Sequence, residues 1–206
     1  KPLLQMGADI TCEEGGLPPL IINSKKVLQR IEYKTEVASA QIKSAILLAG
    51  LYAQGETVVQ EPHPTRDYTE KMLAAFGWPV EFRPGYARLS GGHRLIAKDI
   101  HVPSDFSSAA FFIVAATVIP GSNILIKSVG MNPRRTGLLQ ALKLMGANIA
   151  EENQRELAGE PVADLRVKHA VLKGIEVPES IVPDMIDEFP ALFVAAALAK
   201  GETRIS

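Results

Sequence analysis

The stretch Ala45–Val59, AILLAGLYAQGETVV, runs from small apolar residues through Gly55 into a short β-branched segment. Read locally, that is a helix, a left-handed glycine cap and a strand. The same grammar recurs at Phe111–Ile126, FFIVAATVIPGSNILI, and at Ala191–Ile205, ALFVAAALAKGETRI, with Gly121 and Gly201 in the capping position. These runs predict helices over 39–51, 107–118 and 187–198. Each is apolar nearly all round, and a helix without a polar face is expected to be buried on every side. The expected arrangement therefore has helices inside and sheets outside, with three helix N-termini, starting at Ser39, Ser107 and Asp187, converging on one surface. Converging N-termini would favour an anion.

A second set of words interleaves with the first. LLQMGADI, LAAFGWPV and LKLMGANI carry Gly7, Gly77 and Gly146, spaced 70 and 69 residues apart. PTRDYTEKMLAAFG and PRRTGLLQALKLMG also echo each other, with Arg66 and Arg135 each 11 residues before the glycine. The repeating unit reads strand, helix, glycine, strand, second helix, glycine and strands over roughly 70 residues, an α/β (α+β) layered architecture. Pro103 and the Ser104–Ser108 run break this rhythm, placing a boundary between 1–102 and 103–206. The first repeat reads as cut at its start and the last, ending at Ser206, as cut at its end, so the chain is expected to be a piece of a longer protein.

Bulk composition excludes more than it identifies. The 206 residues are 47% hydrophobic and 22% charged, with net charge −1, which weighs against general nucleic-acid binding. No apolar run reaches the roughly 20 residues of a membrane span. No secretory leader is recognisable, and Cys12 stands alone, so no intramolecular disulfide is possible and a cytoplasmic location is expected. His63, His93, His101 and His169 lack metal-ligand spacing, and no phosphate-binding glycine loop occurs, so neither metal nor cofactor is expected.

The candidates for chemistry lie at predicted helix starts. Ser39 and Gln41 can cap a helix or donate to a phosphate, and the residues alone leave both open. Arg66 near a helix N-terminus opposes the macrodipole, so it needs either Asp67 or Glu70 as a partner or a bound anion. Asp187 and Glu188 can cap their helix or supply a general base. Arg134 and Arg135 read as surface or supporting groups, Lys43 as structural, and Trp78 as packing. The charged segment 151–167 reads as a solvated loop leading into a strand.

Five words, ASAQIKSAILLAGL, EPHPTRDYTEKML, VPSDFSSAAFF, MNPRRTGLLQALKLMGANI and MIDEFPALFVAAALAKGET, together resemble the 3-phosphoshikimate 1-carboxyvinyltransferase family. The resemblance spans nearly the whole chain, and its SAQ-K-S form is similar to the class II branch, which is often glyphosate-tolerant. It implies two domains of repeated βαβαββ units, incomplete here, with residues 1–102 in the shikimate-phosphate-binding domain. It implies transfer of the enolpyruvyl group of phosphoenolpyruvate to the 5-hydroxyl of shikimate 3-phosphate, with no cofactor. By position, Ser39 with the Ala40 backbone binds the shikimate phosphate, Gln41 lies against the shikimate ring, and Arg66 is a further ligand on the phosphate side. Asp187 takes the proton from the attacking hydroxyl.

Departures are also visible. The family's phosphoenolpyruvate-binding arginine words, its Lys-Glu-x-x-Asp-Arg word and its glyphosate-facing loop are not found, so these residues alone are expected to be inactive. Ser104 stands where the family has glycine. The whole protein is expected to be a monomer, with fusion to another enzyme of the pathway left open. Two other readings stand beside this one. One is the sister transferase acting on UDP-N-acetylglucosamine, which lacks the SAQIKS and TRDYTE words and carries a loop cysteine that Cys12 does not match. The other is a non-catalytic sugar-phosphate-binding module.

Overall fold

The computed structural model describes residues 1–23 and 27–205, so Ser206 lies outside the described residues. The chain divides into two compact units, Lys1–Asp99 and Ile100–Ser206.

In the first unit a short helix, α1 (Pro2–Gln5), leads to the antiparallel pair β1 (Asp9–Thr11) and β2 (Ile21–Asn23). Then follow β3 (Glu32–Lys34), α2 (Ala40–Gly50), β4 (Glu56–Gln60), α3 (Tyr68–Ala75), β5 (Val80–Arg83) and β6 (Tyr86–Ser90). β3 and β4 are parallel across α2, β6 runs antiparallel to β4, and β5 closes the sheet as a hairpin, giving the order β3-β4-β6-β5. This is one complete βαβαββ unit. Its core gathers Ile46 and Leu47 from α2, Val59 from β4, Leu73 from α3, and Ala87 and Leu89 from β6, closed by Met6 and Trp78. Trp78 is buried as expected, and its indole N–H donates to the Ser90 carbonyl at 3.2 Å.

The second unit repeats the plan with a shorter entry. A single parallel bridge, Ser104 to Val129, replaces the first strand. It precedes α4 (Phe106–Val118), β7 (Asn123–Gly130), α5 (Gly137–Leu144), β8 (Asn148–Leu157) and β9 (Glu160–Lys168), with strand order β7-β9-β8. The Ser104 hydroxyl donates to the Lys127 carbonyl at 3.1 Å, which ties this entry to β7. Two 3₁₀ turns, Glu179–Asp184 and Ile186–Glu188, lead to α6 (Phe189–Ala197). Ile113, Leu138, Leu142, Met145, Leu165 and Leu192 form the centre of its core.

The glycine words translate into geometry. Gly7, Gly77 and Gly146 all have positive φ. In each the glycine N–H bonds three residues back, and the next N–H reaches the carbonyl five back: Trp78 to Leu73 at 2.9 Å, Ala147 to Leu142 at 2.9 Å, Ala8 to Leu3 at 2.9 Å. These are three copies of one Schellman cap.

Three expectations are corrected. The segment 151–167 is not a loop. It belongs to a long hairpin whose two turn residues, Ala158 and Gly159, both have positive φ, as a tight primed turn requires. Its charges answer each other across the strands, Arg166 holding Glu152 at 2.6 Å, so polarity there marks an exposed edge strand and not the absence of one. Around Gly201 there are only isolated bridges, Lys173 to Lys200 before it and Glu176 to Arg204 after it, and among the described residues the run after it is not a strand. The apolar helices are also not buried all round: Phe111 and Phe112 on α4 and Phe193 and Val194 on α6 are each more than half exposed. Periodicity shows that a helix has no polar face; whether something covers each face is a tertiary matter.

Candidate functional site

In the first unit the candidates cluster at the starts of α2 and α3. Ser39 is the N-cap of α2, extended at φ −147° and ψ 108°, and its Oγ accepts from the Ile42 N–H at 3.4 Å. That cap leaves the hydroxyl proton and the N–H groups of Ala40 and Gln41 directed past the helix end, the ordinary condition of a first turn. Gln41 is exposed and lines a recess with Lys1, Leu3, Leu4, Ile10 and Ala45.

Arg66 lies half-buried just before α3, whose N-cap is Asp67. Neither expected carboxylate neutralises it. Asp67 pairs with Lys71 at 3.1 Å, and Glu70 turns inward to Lys43 at 2.8 Å. Among the described residues Arg66 forms no ion pair or side-chain hydrogen bond. Near their starts α2 and α3 are locked together by the Lys43–Glu70 pair and by Ser44 Oγ against Thr69 Oγ1 at 2.6 Å. Lys43, read from sequence as structural, is indeed buried, and it also binds Glu61 at 2.9 Å.

In the second unit the expectation for α4 and α6 needs correcting in detail. The cap of α4 is Asp105, not Ser107: its carboxylate accepts from the Ser108 N–H at 2.9 Å. Burial pushes the Asp105 carboxyl upward, but the Ser108 hydrogen bonds and the Arg135 charge outweigh it and hold it below its ordinary value. Asp187 does not cap α6 and is not buried. It sits in the Ile186–Glu188 turn with its side chain 68% exposed, and α6, with Pro190 in its first turn, starts two residues later at Phe189. Glu188 occupies the cap position without a capping bond; its buried carboxylate accepts from the Ser107 hydroxyl instead.

Arg135 is the residue that sequence reasoning undervalued. Its side chain is only 15% exposed and reaches Asp187 at 3.0 Å, Asp105 at 3.3 Å and the Ser107 hydroxyl. The signal was present in its register with Arg66, eleven residues before the capping glycine. The starts of α4 and α6 thus meet around one guanidinium, which orients the Asp187 carboxylate. Among the described residues no group of histidine, cysteine and acidic side chains could hold a metal, and no helix is long and apolar enough to cross a membrane.

A chain built from βαβαββ units with helix starts gathered at polar clusters has the fold of the enolpyruvyl transferases. The enolpyruvyl transferase NikO from Streptomyces tendae shares that fold with a TM-score of 0.68 over 99% of this chain, at 17% identity. Within that class the chain belongs to the EPSP synthase (3-phosphoshikimate 1-carboxyvinyltransferase) family, whose profile matches residues 1–206. It is 64% identical over 205 residues to a 3-phosphoshikimate 1-carboxyvinyltransferase of Xanthomonas euvesicatoria pv. vesicatoria, and 65% identical to one of Xanthomonas campestris pv. campestris. An EPSP synthase from Acinetobacter baumannii superposes with a TM-score of 0.92 at 51% identity, covering all of this chain and 47% of that one. The chain spans about half the length of these relatives, 47% of each Xanthomonas protein.

Proposed function

We propose that these residues supply the shikimate 3-phosphate side of an enolpyruvyl-transfer site in a whole protein that is a 3-phosphoshikimate 1-carboxyvinyltransferase. The observation that carries the reading is Arg66. A half-buried guanidinium flanked by two acids, both committed to lysines, leaves positive charge beside a helix start, where a phosphate would be welcome. Ser39 Oγ, the Ala40 N–H and Arg66 are assigned to the phosphate, and Gln41 to the ring. Asp187 is assigned the proton of the 5-hydroxyl as that oxygen attacks the enolpyruvyl carbon of phosphoenolpyruvate and the methylene carbon takes up a proton; the resulting tetrahedral adduct then loses phosphate together with a proton of the new methyl group, restoring the double bond. Arg135 supports this role by presenting the carboxylate in a fixed orientation. Binding needs no metal, the whole protein works as a cytoplasmic monomer, and residues 1–102 act as the shikimate-phosphate-binding part.

The test begins with calorimetric titration of shikimate 3-phosphate into the folded chain, with UDP-N-acetylglucosamine as the control. Selective binding, weakened by Arg66→Ala, is the expected result; equal binding of the nucleotide sugar would point to the sister activity. In the full-length protein Asp187→Ala is expected to lower kcat by about 10²–10⁴-fold while substrate affinity holds. A binding module without catalysis would show no turnover to lose.

A further inference from the structure

The loop that carries Arg66 has little main-chain support. Among the described residues, the Thr65 N–H is the one amide between His63 and Arg66 that finds an acceptor, and that acceptor is a side chain, Glu61 Oε2 at 3.4 Å. The Thr65 hydroxyl donates to the other oxygen, Glu61 Oε1. The Glu61 side chain is itself fully buried just past the end of β4, and its Oε2 also accepts from Lys43 Nζ at 2.9 Å. Both carboxylate oxygens are therefore committed, towards the α2 scaffold and towards the loop. Stability alone does not account for this cluster. Lys43 is shared with a second buried acid, and Glu70 Oε2 is left without a hydrogen-bond partner.

We infer that Glu61, anchored by Lys43, is a positioning residue for ligand binding: it clasps Thr65 and thereby fixes where the neighbouring Arg66 guanidinium stands relative to the start of α2. The inference rests on the assignment of Arg66 to the phosphate. Lys43 leaves α2 one turn after the Ser39 cap, so the clasp couples the two halves of the proposed phosphate site through one buried ion pair.

Two Thr65 variants separate a clasp from packing. Thr65→Val keeps the shape and removes the hydroxyl; Thr65→Ser keeps the hydroxyl and removes a methyl. By calorimetry, Thr65→Val is expected to bind shikimate 3-phosphate about tenfold more weakly, the scale of one charge-assisted hydrogen bond, and Thr65→Ser to bind like the parent. Added to Arg66→Ala, Thr65→Val should cost nothing further, because the residue it positions is gone. Without ligand, exchange of the amide at position 65, the one in this stretch with an acceptor, should quicken in Thr65→Val, while β4 and β6 keep their protection. If circular dichroism shows Thr65→Val unfolded, Glu61→Gln takes its place in the same cycle. Unchanged exchange, equal weakening by Val and Ser, or additive losses with Arg66→Ala would each overturn the inference. A folded parent chain that ignores shikimate 3-phosphate would instead overturn the assignment of Arg66, with the exchange arm still deciding whether the clasp exists.

Discussion

A single ammonium, Lys43, faces two buried carboxylates, Glu61 and Glu70, and cannot satisfy both. Burial pushes the Glu70 carboxyl above its ordinary value of 4.5; the hydrogen bond and charge of Lys43 pull it back without prevailing, and Asp67 on the same helix adds to the rise. The folded chain therefore keeps this proton at pH values where the unfolded chain has lost it. Stability should fall as pH rises from about 4.5 through the folded value, in the absence of other titrations. Glu70→Gln should remove that slope in urea titrations across acidic pH and leave Lys43 paired one-to-one with Glu61, at little or no loss of stability at neutral pH. Lys43→Met, by contrast, strands both acids and should cost about 3–5 kcal/mol. Asp105 carries the opposite sign. Its carboxyl is held below the ordinary 3.8, so its contribution is present above that value and lost as pH falls below it. Asp105→Asn, which can still cap α4, should be milder than Asp105→Ala, for which loss of the cap is worth about 1 kcal/mol in denaturant titrations. The identity of these residues as polar groups at helix starts was legible in the sequence. Which of them caps was not, because Asp105, Ser107 and Asp187 are all competent and only the positions of Arg135 and Pro190 assign their roles.

Among the elements, the glycine words were the most readable part of the chain. A helix-to-strand turn that needs a left-handed residue has few alternatives to glycine, so the need is written as a residue type. Gly146 has φ +94° with open space where a Cβ would stand, so Gly146→Ala should cost about 1–2 kcal/mol from backbone strain alone. Gly174 is required for another reason: a Cβ there would lie 2.1 Å from the Glu202 carbonyl oxygen, across the bridges that flank α6. Gly174→Ala should therefore destabilise more than Gly146→Ala, measured by thermal unfolding of the two variants side by side. The β8–β9 hairpin shows the limit of the same method. Glu152, Arg155, Asp164 and Arg166 look like solvated loop chemistry one residue at a time, and their pairing exists only once two strands lie in register.

For the whole molecule, two cores form, each around its own sheet, and each can be challenged separately. Leu47→Ala in the first and Leu142→Ala in the second remove fully buried side chains and should each cost about 2–5 kcal/mol, the former followed by the fluorescence of Trp78, the chain's one tryptophan. The uncovered apolar faces of α4 and α6 make a further expectation. At high concentration these 206 residues should self-associate, and Phe111→Ser with Phe193→Ser should shift sedimentation towards the monomer. By itself the sequence determined most of the alternation of helix, glycine and strand, the family, and the polar residues at the helix starts. Each of these depends on local backbone chemistry or on words that survive in one dimension. The tertiary structure alone decided that Arg66 is left without a carboxylate, that Arg135 gathers Asp105, Ser107 and Asp187, and that Glu61 reaches Thr65 with Lys43 behind it. Those outcomes are competitions among polar and charged groups, several of them many residues apart, and packing decides which competitors meet.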